Sequence, residues 1–552
     1  MKKIYTREEL EQLPREKLIE IILSLQEEFL AYEKEQEAKY EALEAKYKAL
    51  EEKFQLLMEQ FLALQRQVFG RSTEKLQPED EPYVDTEDYS VLNEAEAISD
   101  AEEKKEKKRG VKKKGKRAED LKNLPVQVEE YDIPEDELNK LFPDGYKRLP
   151  DDVVKTLEKV PARYFVREKH VAVYSDKFGD TLARADHPKK LFRNSLASVS
   201  IVIEVLVNKY LNAMPLYRQE AYYKTCGLEF LTRKTLASWV INSAKKYWGK
   251  FYKKLVEELL KNKIIQADQT PVLVNKDGRP AGKQSSMWVY RTGYLNNSPP
   301  VVIYDYQKTK EAEHAHNFLK DFKGICVTDG DSSYHAIESE YVIIAGCWAH
   351  ARRRYDEALK TAKNADAELK GSLAKKALRL IQVIYKAESE LKGLPASERL
   401  KQRQEKVAPL VDAYFAWVRE TCARINQENI VISGKLKNGL EYSLNQEKYL
   451  RVFLSNGDVP MDNNASERAI RPFCVGKKNW LFCDTVSGAE ASAISYSIAE
   501  TVKANNLNPT NYLEYVLTAL VQHQDEKDVS YLDEMMPWSK NLPANCYNPK
   551  KN

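Results

Sequence analysis

Three carboxylates stand at places where a folded chain rarely leaves one without use. Asp268 closes the apolar part of IIQADQTPVLV, and Asp329 does the same in GICVTDGDSSYHAI. Glu467 lies in NNASERAIRPFCVGKKNWLF, residues 463–482, among Arg468, Arg471, Lys477, Lys478 and Trp480. An acid at the end of a buried run is destabilising unless something binds it. Three acids from separate segments suit hard divalent cations, which take carboxylate oxygens and keep several waters. Two such ions about 3.5–4 Å apart can activate an attacking hydroxyl on one side of a phosphorus and steady the leaving oxygen on the other. The flanking bases then read as phosphate ligands. Each segment also has a structural reading. Glu467 with Arg471 is an ordinary i,i+4 pair, an Asp after an apolar strand commonly caps a turn, and Trp480 fits a core as well as a stacked base. Asp305, Asp331 and Asp462 are neighbours that could take the same roles.

The elements that must position these acids are legible between Lys263 and Cys347. A strand ending at Asp268 is followed by strands SSMWVYRTGY and PPVVIYDY, a helix over about 310–322, strand GICVTD, a short helix, and strand YVIIAGCW. Three strands, a helix, a strand, a helix and a strand is the order of a ribonuclease H-like domain. In that order the first and fourth strands are neighbours, which brings Asp268 and Asp329 together across 61 residues. Glu467 lies 138 residues further on, too far for a simple connection. The helical stretch from about 349 to 424 predicts an inserted domain that must return the chain.

Upstream, Leu43, Leu50, Leu57 and Leu64 repeat in sevens beside Tyr40, Tyr47, Phe54, Phe61 and Val68. A strict heptad predicts a coiled coil and self-association. Eleven acids between Glu79 and Glu103, then ten bases between Lys104 and Arg117, predict a charged disordered linker. Alternation in ARYFVREKHVAVYSD suggests short strands. Residues 216–248 read as a helix, a turn at Gly227, and a second helix capped by Thr232 that carries Arg233 and Lys234, the layout of a helix-turn-helix. A plain helical hairpin leaves a similar trace.

A net charge of +3 confines any nucleic-acid contact to local patches. The seven cysteines are scattered without CxxC spacing and read as reduced thiols. No apolar run reaches the roughly 18 residues of a membrane span, and MKKIYTREEL lacks a signal-peptide core, so a cytoplasmic protein is expected.

Several segments together resemble the transposases of the insertion sequence 66 (IS66) family, which are of the DDE type. LQRQVFGRSTEKL, VNKYLNAMPLYRQE, LASWV, ADQTPV, GCWAHARRRY, NNASERAIRP and YLDEMMPW carry the resemblance, from about Leu64 to Trp538. It implies Asp268, Asp329 and Glu467 as the catalytic, metal-binding triad, with two Mg²⁺ ions, or Mn²⁺ in their place. DNA contacts are expected from Arg233, Lys234, Arg352, Arg353, Arg468, Arg471, Lys477 and Lys478. The partners implied are double-stranded DNA at transposon ends and target, a second copy through the coiled coil, and accessory proteins of the same element; a bacterial transposase would join the nucleoid when bound to DNA.

Two features depart from the family. FPDG and YSDKFGD stand where paired cysteines of a zinc module are usual, so no zinc is expected. The first motif reads Asp268-Gln269-Thr270 rather than DET. Cys347 and His350 resemble a CxxH element of DDE transposases, and His350 reads as structural or close to DNA.

The resulting fold class is a multidomain α/β protein with large all-α parts. Its expected divisions are a coiled coil over 1–75, linker 76–120, degenerate zinc-finger-like module 121–190, DNA-binding helices 191–260, catalytic core 261–348 with insertion 349–455, catalytic-helix segment 456–505, and tail 506–552. A catalytically idle DNA-binding protein and a hydrolytic nuclease of the same fold are the competing readings.

Overall fold

The computed structural model describes residues 164–175, 182–184, 186 and 188–548 apart from 281, 296–297 and 361–371, with scattered positions between 14 and 50. The heptads, the charged linker and most of the module at 121–190 lie outside the described residues. Two units divide the chain, residues 1–80 with 190–552 and residues 81–189. In the second, β1 (Val173–Ser175) pairs antiparallel with β2 (Leu182–Arg184). The alternation before β1 does not extend the strand: Phe165 and Val166 are exposed, so the pattern there has no core to face.

The main unit opens on helices whose ends follow local chemistry. Ser198 caps α1 (Val199–Tyr210), and Pro215 precedes α2 (Leu216–Thr225). Gly227 turns the chain at φ +77°, and Thr232 caps α3 (Arg233–Ser243) by accepting from Thr235 N. Both signals predicted from sequence are present. The connection, residues 226–232, is longer than the three or four residues of a compact helix-turn-helix. A single π turn, Ala244–Trp248, leads into α4 (Gly249–Leu260).

The sheet follows in the expected succession: β3 (Ile264–Lys276), β4 (Gln284–Thr292), β5 (Val302–Gln307), α5 (Ala312–Phe318), β6 (Gly324–Val327), α6 (Ser332–His335) and β7 (Val342–Ala345). Its order is β5-β4-β3-β6-β7, with β3, β4 and β5 antiparallel and β6 and β7 parallel to β3. One boundary differs from the sequence reading. β3 continues eight residues past Asp268 because β4 stays paired to it as far as Leu273. What ends near Asp268 is the parallel partner, whose last pair is Gln266 with Val327. The far end of β3 instead gains β8 (Cys483–Thr485), which the sequence did not announce.

Helices α7 (Trp348–Lys360), α8 (Leu373–Ser389), α9 (Ala396–Gln402), α10 (Ala408–Gln427) and α11 (Gly434–Leu450) form the insertion. Their apolar faces share one core with the sheet, running from Ile264, Val327 and Ala345 through Trp348 and Tyr355 to Ile381, Tyr414 and Leu440. The chain does return. Gly346 N donates to Tyr449 O, and Trp348 donates from N to Met461 O and from Nε1 to Leu450 O. Arg403, fully buried, ties Glu388 to the carbonyls of Phe453 and Asn456. Then come α12 (Asn464–Trp480), α13 (Val486–Ala504) and α14 (Pro509–Gln522). The amides of Val302 and Tyr304 donate to Thr501 Oγ1 and Ser497 Oγ, so side chains of α13 close the outer edge of β5.

Candidate active site

Register brings the first two acids together. Gln266 and Val327 face each other on adjacent parallel strands, and Asp268 and Asp329 each follow two residues later. Asp268 Oδ1 accepts the amide of Gln269 at 2.7 Å, and Asp329 Oδ1 accepts that of Asp331 at 3.1 Å. Gly330 turns the chain after Asp329 at φ +85°, where a Cβ would press on Tyr442 and Gln446. Tyr442, from α11, donates its hydroxyl to Asp329 O at 2.9 Å. The insertion therefore holds the second acid's loop from outside the sheet.

Glu467 arrives through Asn463, which is fully buried. Asn463 Nδ2 donates to Ala267 O at 2.7 Å, its Oδ1 accepts from Gln266 at 3.3 Å, and its amide donates to Cys347 Sγ at 3.1 Å. These bonds fasten the start of α12 to β3 where β6 has left its edge free. The Asn463 carbonyl accepts from Ser466 and Glu467, which places Glu467 in the first turn, where the helix dipole favours an anion.

The electrostatics of the cluster are strained. Burial, then the charge of Asp329, push the Asp268 carboxyl up to about 7 against the opposing Gln269 amide, and Glu467 adds to the rise. Arg353 of α7 answers part of this charge: its Nη2 lies 3.0 and 3.2 Å from the two Glu467 oxygens. Arg353 Nη1 also approaches His350 Nε2 at 3.2 Å, and His350 Nδ1 lies 3.6 Å from Glu467. Burial first, and then Arg353, hold His350 below its ordinary value, so it stays neutral at physiological pH. A polar cleft of about 460 Å³ opens here, lined by Asp329, Gly330, His350, Arg353, Arg354 and Tyr442 among others.

The alternative acids have other employment. Asp331 caps α6 and pairs with Lys310 at 2.6 Å. Asp305 lies on β5, two strands from β3, and bonds Gln307; burial raises it to about 6. Asp462 accepts the Asn464 amide just ahead of α12.

The basic residues divide. Arg353 reaches the cluster, whereas Arg468 is exposed and Arg352 and Arg471 are half-buried on the same two helices. Lys477 donates to Pro271 O at 2.7 Å and Thr270 Oγ1 at 3.3 Å, which makes it a brace across the open edge of β3. Pro271, opposite Ser286 of β4, turns its carbonyl to this brace on the open edge, which is where a strand tolerates proline. Lys478 is exposed, and Arg233 and Lys234 are exposed on α3, outside the cleft. Trp480, half-buried, packs against Gly476 and Tyr496 under the ammonium of Lys209, 4.2 Å above its ring, a structural contact. Sequence reasoning missed Asn463 as a fastener, Arg354 in the cleft, and Tyr442. The doublet Asn463-Asn464 before a helix was a capping signal; Tyr442 had none.

Acids from three separate elements, with Arg353 beside Glu467, suit hard divalent cations, since added positive charge would offset the burial and the Asp329 charge that raise Asp268. Cys347, His350 and Glu467 also bring donor atoms within 4.8 Å of one another. The Cys347 thiol is pushed far up by burial and already accepts an amide, which marks it as a structural cap.

Tyr442→Phe is expected to loosen the Asp329 loop by the worth of one hydrogen bond, about 1 kcal/mol. The Mg²⁺ concentration for half-maximal stabilisation against heat should rise about fivefold with unchanged circular dichroism. An unchanged Mg²⁺ requirement would remove Tyr442 from the site.

Fold and site thus define a mixed α/β protein that brings acids and an arginine from separate elements together. The chain belongs to the IS66 family of transposases. The profile described as "Transposase IS66 family" matches residues 194–491, more than half the chain. "IS66 C-terminal element" matches 497–538, and "Transposase C of IS166 homeodomain" matches 56–128. Two proteins of Sinorhizobium fredii, the uncharacterized proteins y4qI and y4hP, are each 27% identical over 408 and 406 residues, covering 71% of this chain and 71% of theirs.

Proposed function

We propose that the protein is a DDE-type DNA transposase that cuts and rejoins the ends of its element, with Asp268, Asp329 and Glu467 as the catalytic acids. The observation that carries the reading is the placement of Asp268 and Asp329, each two residues beyond Gln266–Val327, the last parallel pair of β3 and β6, with Glu467 fastened to the same stretch of β3 through Asn463. The strand order and the mixed sense of the sheet support a ribonuclease H-like core. The three carboxylates would hold two Mg²⁺ ions, which when bound supply charge to activate the attacking oxygen and steady the leaving one.

In cleavage, water attacks the phosphorus and the 3′-oxygen leaves as a free hydroxyl. In joining, that hydroxyl loses its proton, attacks a target phosphodiester, and expels the target's own 3′-oxygen. Arg353 neutralises Glu467 while the site waits, and on release its guanidinium faces the cleft, ready for a phosphate. Arg352, Arg354, Arg468, Arg471 and Lys478 extend this basic surface, and Arg233 and Lys234 on α3 read the ends. Lys477 serves the same surface by bracing β3. The heptads join two or more copies, the module at 121–190 folds without zinc, accessory proteins of the element assist, and the protein works on the nucleoid in the cytoplasm. Among the described residues no helix is long and apolar enough to cross a membrane.

The test is incubation of purified protein with Mg²⁺, the DNA ends flanking its gene and a target duplex. Joined product is expected. Cut ends without joining would identify a nuclease, and binding without cutting an assembly protein.

A further inference from the structure

The end of α12 carries a feature that neither packing nor the acids explain. The Leu481 amide donates to Lys477 O, and Phe482 N donates to Trp480 O at 2.8 Å, closing a three-residue turn about Leu481 at φ 66°, ψ −46°. This is the γ-turn of positive φ, rare and strained for a residue with a Cβ. Glycine would occupy it without strain. The chain instead places there a leucine that is 69% exposed, followed by a phenylalanine 43% exposed. Both flanks are fixed: Asn479 donates to Ala213 O at 2.8 Å, Trp480 is packed, and Cys483 is buried in β8 opposite Val274. Two apolar side chains are thus held out rigidly into solvent.

We propose that Leu481 and Phe482 form a wedge that enters the base stack of bound double-stranded DNA; this rests on the transposase reading. Position and charge select that partner. Val274 lies six residues along β3 from Asp268, which at about 3.3 Å per residue is about 20 Å, or roughly six base-pair steps from the reacting phosphate. Lys477 and Lys478 in the last turn of α12, with Lys209 over Trp480, make the flank of the tip cationic. Apolar side chains between basic ones are how proteins unstack and kink a duplex. A rigid, strained tip is prepared for this before DNA arrives, so binding need not order it.

The test uses full-length protein and duplexes bearing the ends that flank its gene, with 2-aminopurine placed singly along the first ten base pairs. Binding by wild type is expected to raise fluorescence severalfold at one or two adjacent positions. Leu481→Gly and Phe482→Ala, alone and together, should remove that rise while DNA binding persists. Leu481→Gly should also melt no lower than wild type, since it relieves the turn, which separates lost wedging from lost folding. Wild type that binds and cuts the ends with no rise anywhere overturns the proposal, as does failure to bind them. A rise that survives both substitutions while a dimer dissociates in sedimentation also overturns it and makes the tip a contact between copies. Joining of unlabelled ends, read separately, reports on the transposase reading itself: its absence beside an intact, wedge-dependent rise sinks that reading and leaves the wedge.

Discussion

Glu467→Gln is expected to lower strand cleavage and joining by about 10³-fold or more while binding of the ends is retained. The side chain keeps its length and its place in the first turn of α12 but loses the charge that Arg353 now answers. Losing one of three anionic ligands removes several kcal/mol of charge stabilisation from the reacting phosphate, and each 1.36 kcal/mol is tenfold in rate. Asn463, which orients the helix, is untouched, so the fold should hold. Gel assays of cleavage, joining and binding on the same preparation provide the check. A variant that cuts as well as wild type would show that Glu467 is not the third acid.

Asp268→Asn should separate activity from stability in opposite directions. The Asp268 carboxyl is raised from 3.8 to about 7 in the folded chain, by burial first and by Asp329 second. A raised carboxyl favours the neutral form, so its contribution to stability is fully present below about pH 4 and is lost as pH rises through about 7. At pH 8 the ionised side chain opposes folding by up to about 4 kcal/mol at about 1.36 kcal/mol per unit. Asparagine keeps the oxygen that accepts the Gln269 amide and cannot ionise. Without divalent metal the variant should therefore melt several degrees above wild type at pH 8 and equal it near pH 4; with Mg²⁺ present it should fail to cleave. Mg²⁺ should raise the melting temperature of wild type at pH 8 and raise the variant's much less. Equal melting of the two proteins at pH 8 would show that burial and the neighbouring acids do not disfavour the ionised Asp268.

Both predictions concern residues that were legible because they broke a pattern: Asp268 follows a largely apolar stretch, and Glu467 is an acid in a basic and aromatic segment. The helical ends were legible for the same local reason, as Gly227 and Thr232 illustrate. The extent of β3 was not. Its continuation rests on pairing with β4 as far as Leu273, and Lys477 braces its open edge at Pro271. Helical spacing offered Arg471 to Glu467; the fold also brings Arg353 to it from 114 residues upstream.

The sequence by itself determined most of the helices, the succession of β3 to β7, the identity of the candidate acids and the family, since each rests on residues close in the chain or on whole motifs; β8 and the length of β3 lay beyond it. Tertiary structure alone decided how those acids meet. Parallel register set Asp268 against Asp329, a buried asparagine bonded to Ala267 O brought the start of α12 to β3, and an inserted helix lent Tyr442 to hold a loop. Such contacts join residues 61 to 196 positions apart. Their energy comes from filling a vacated strand edge and satisfying buried polar groups, conditions that exist only once the chain has closed on itself.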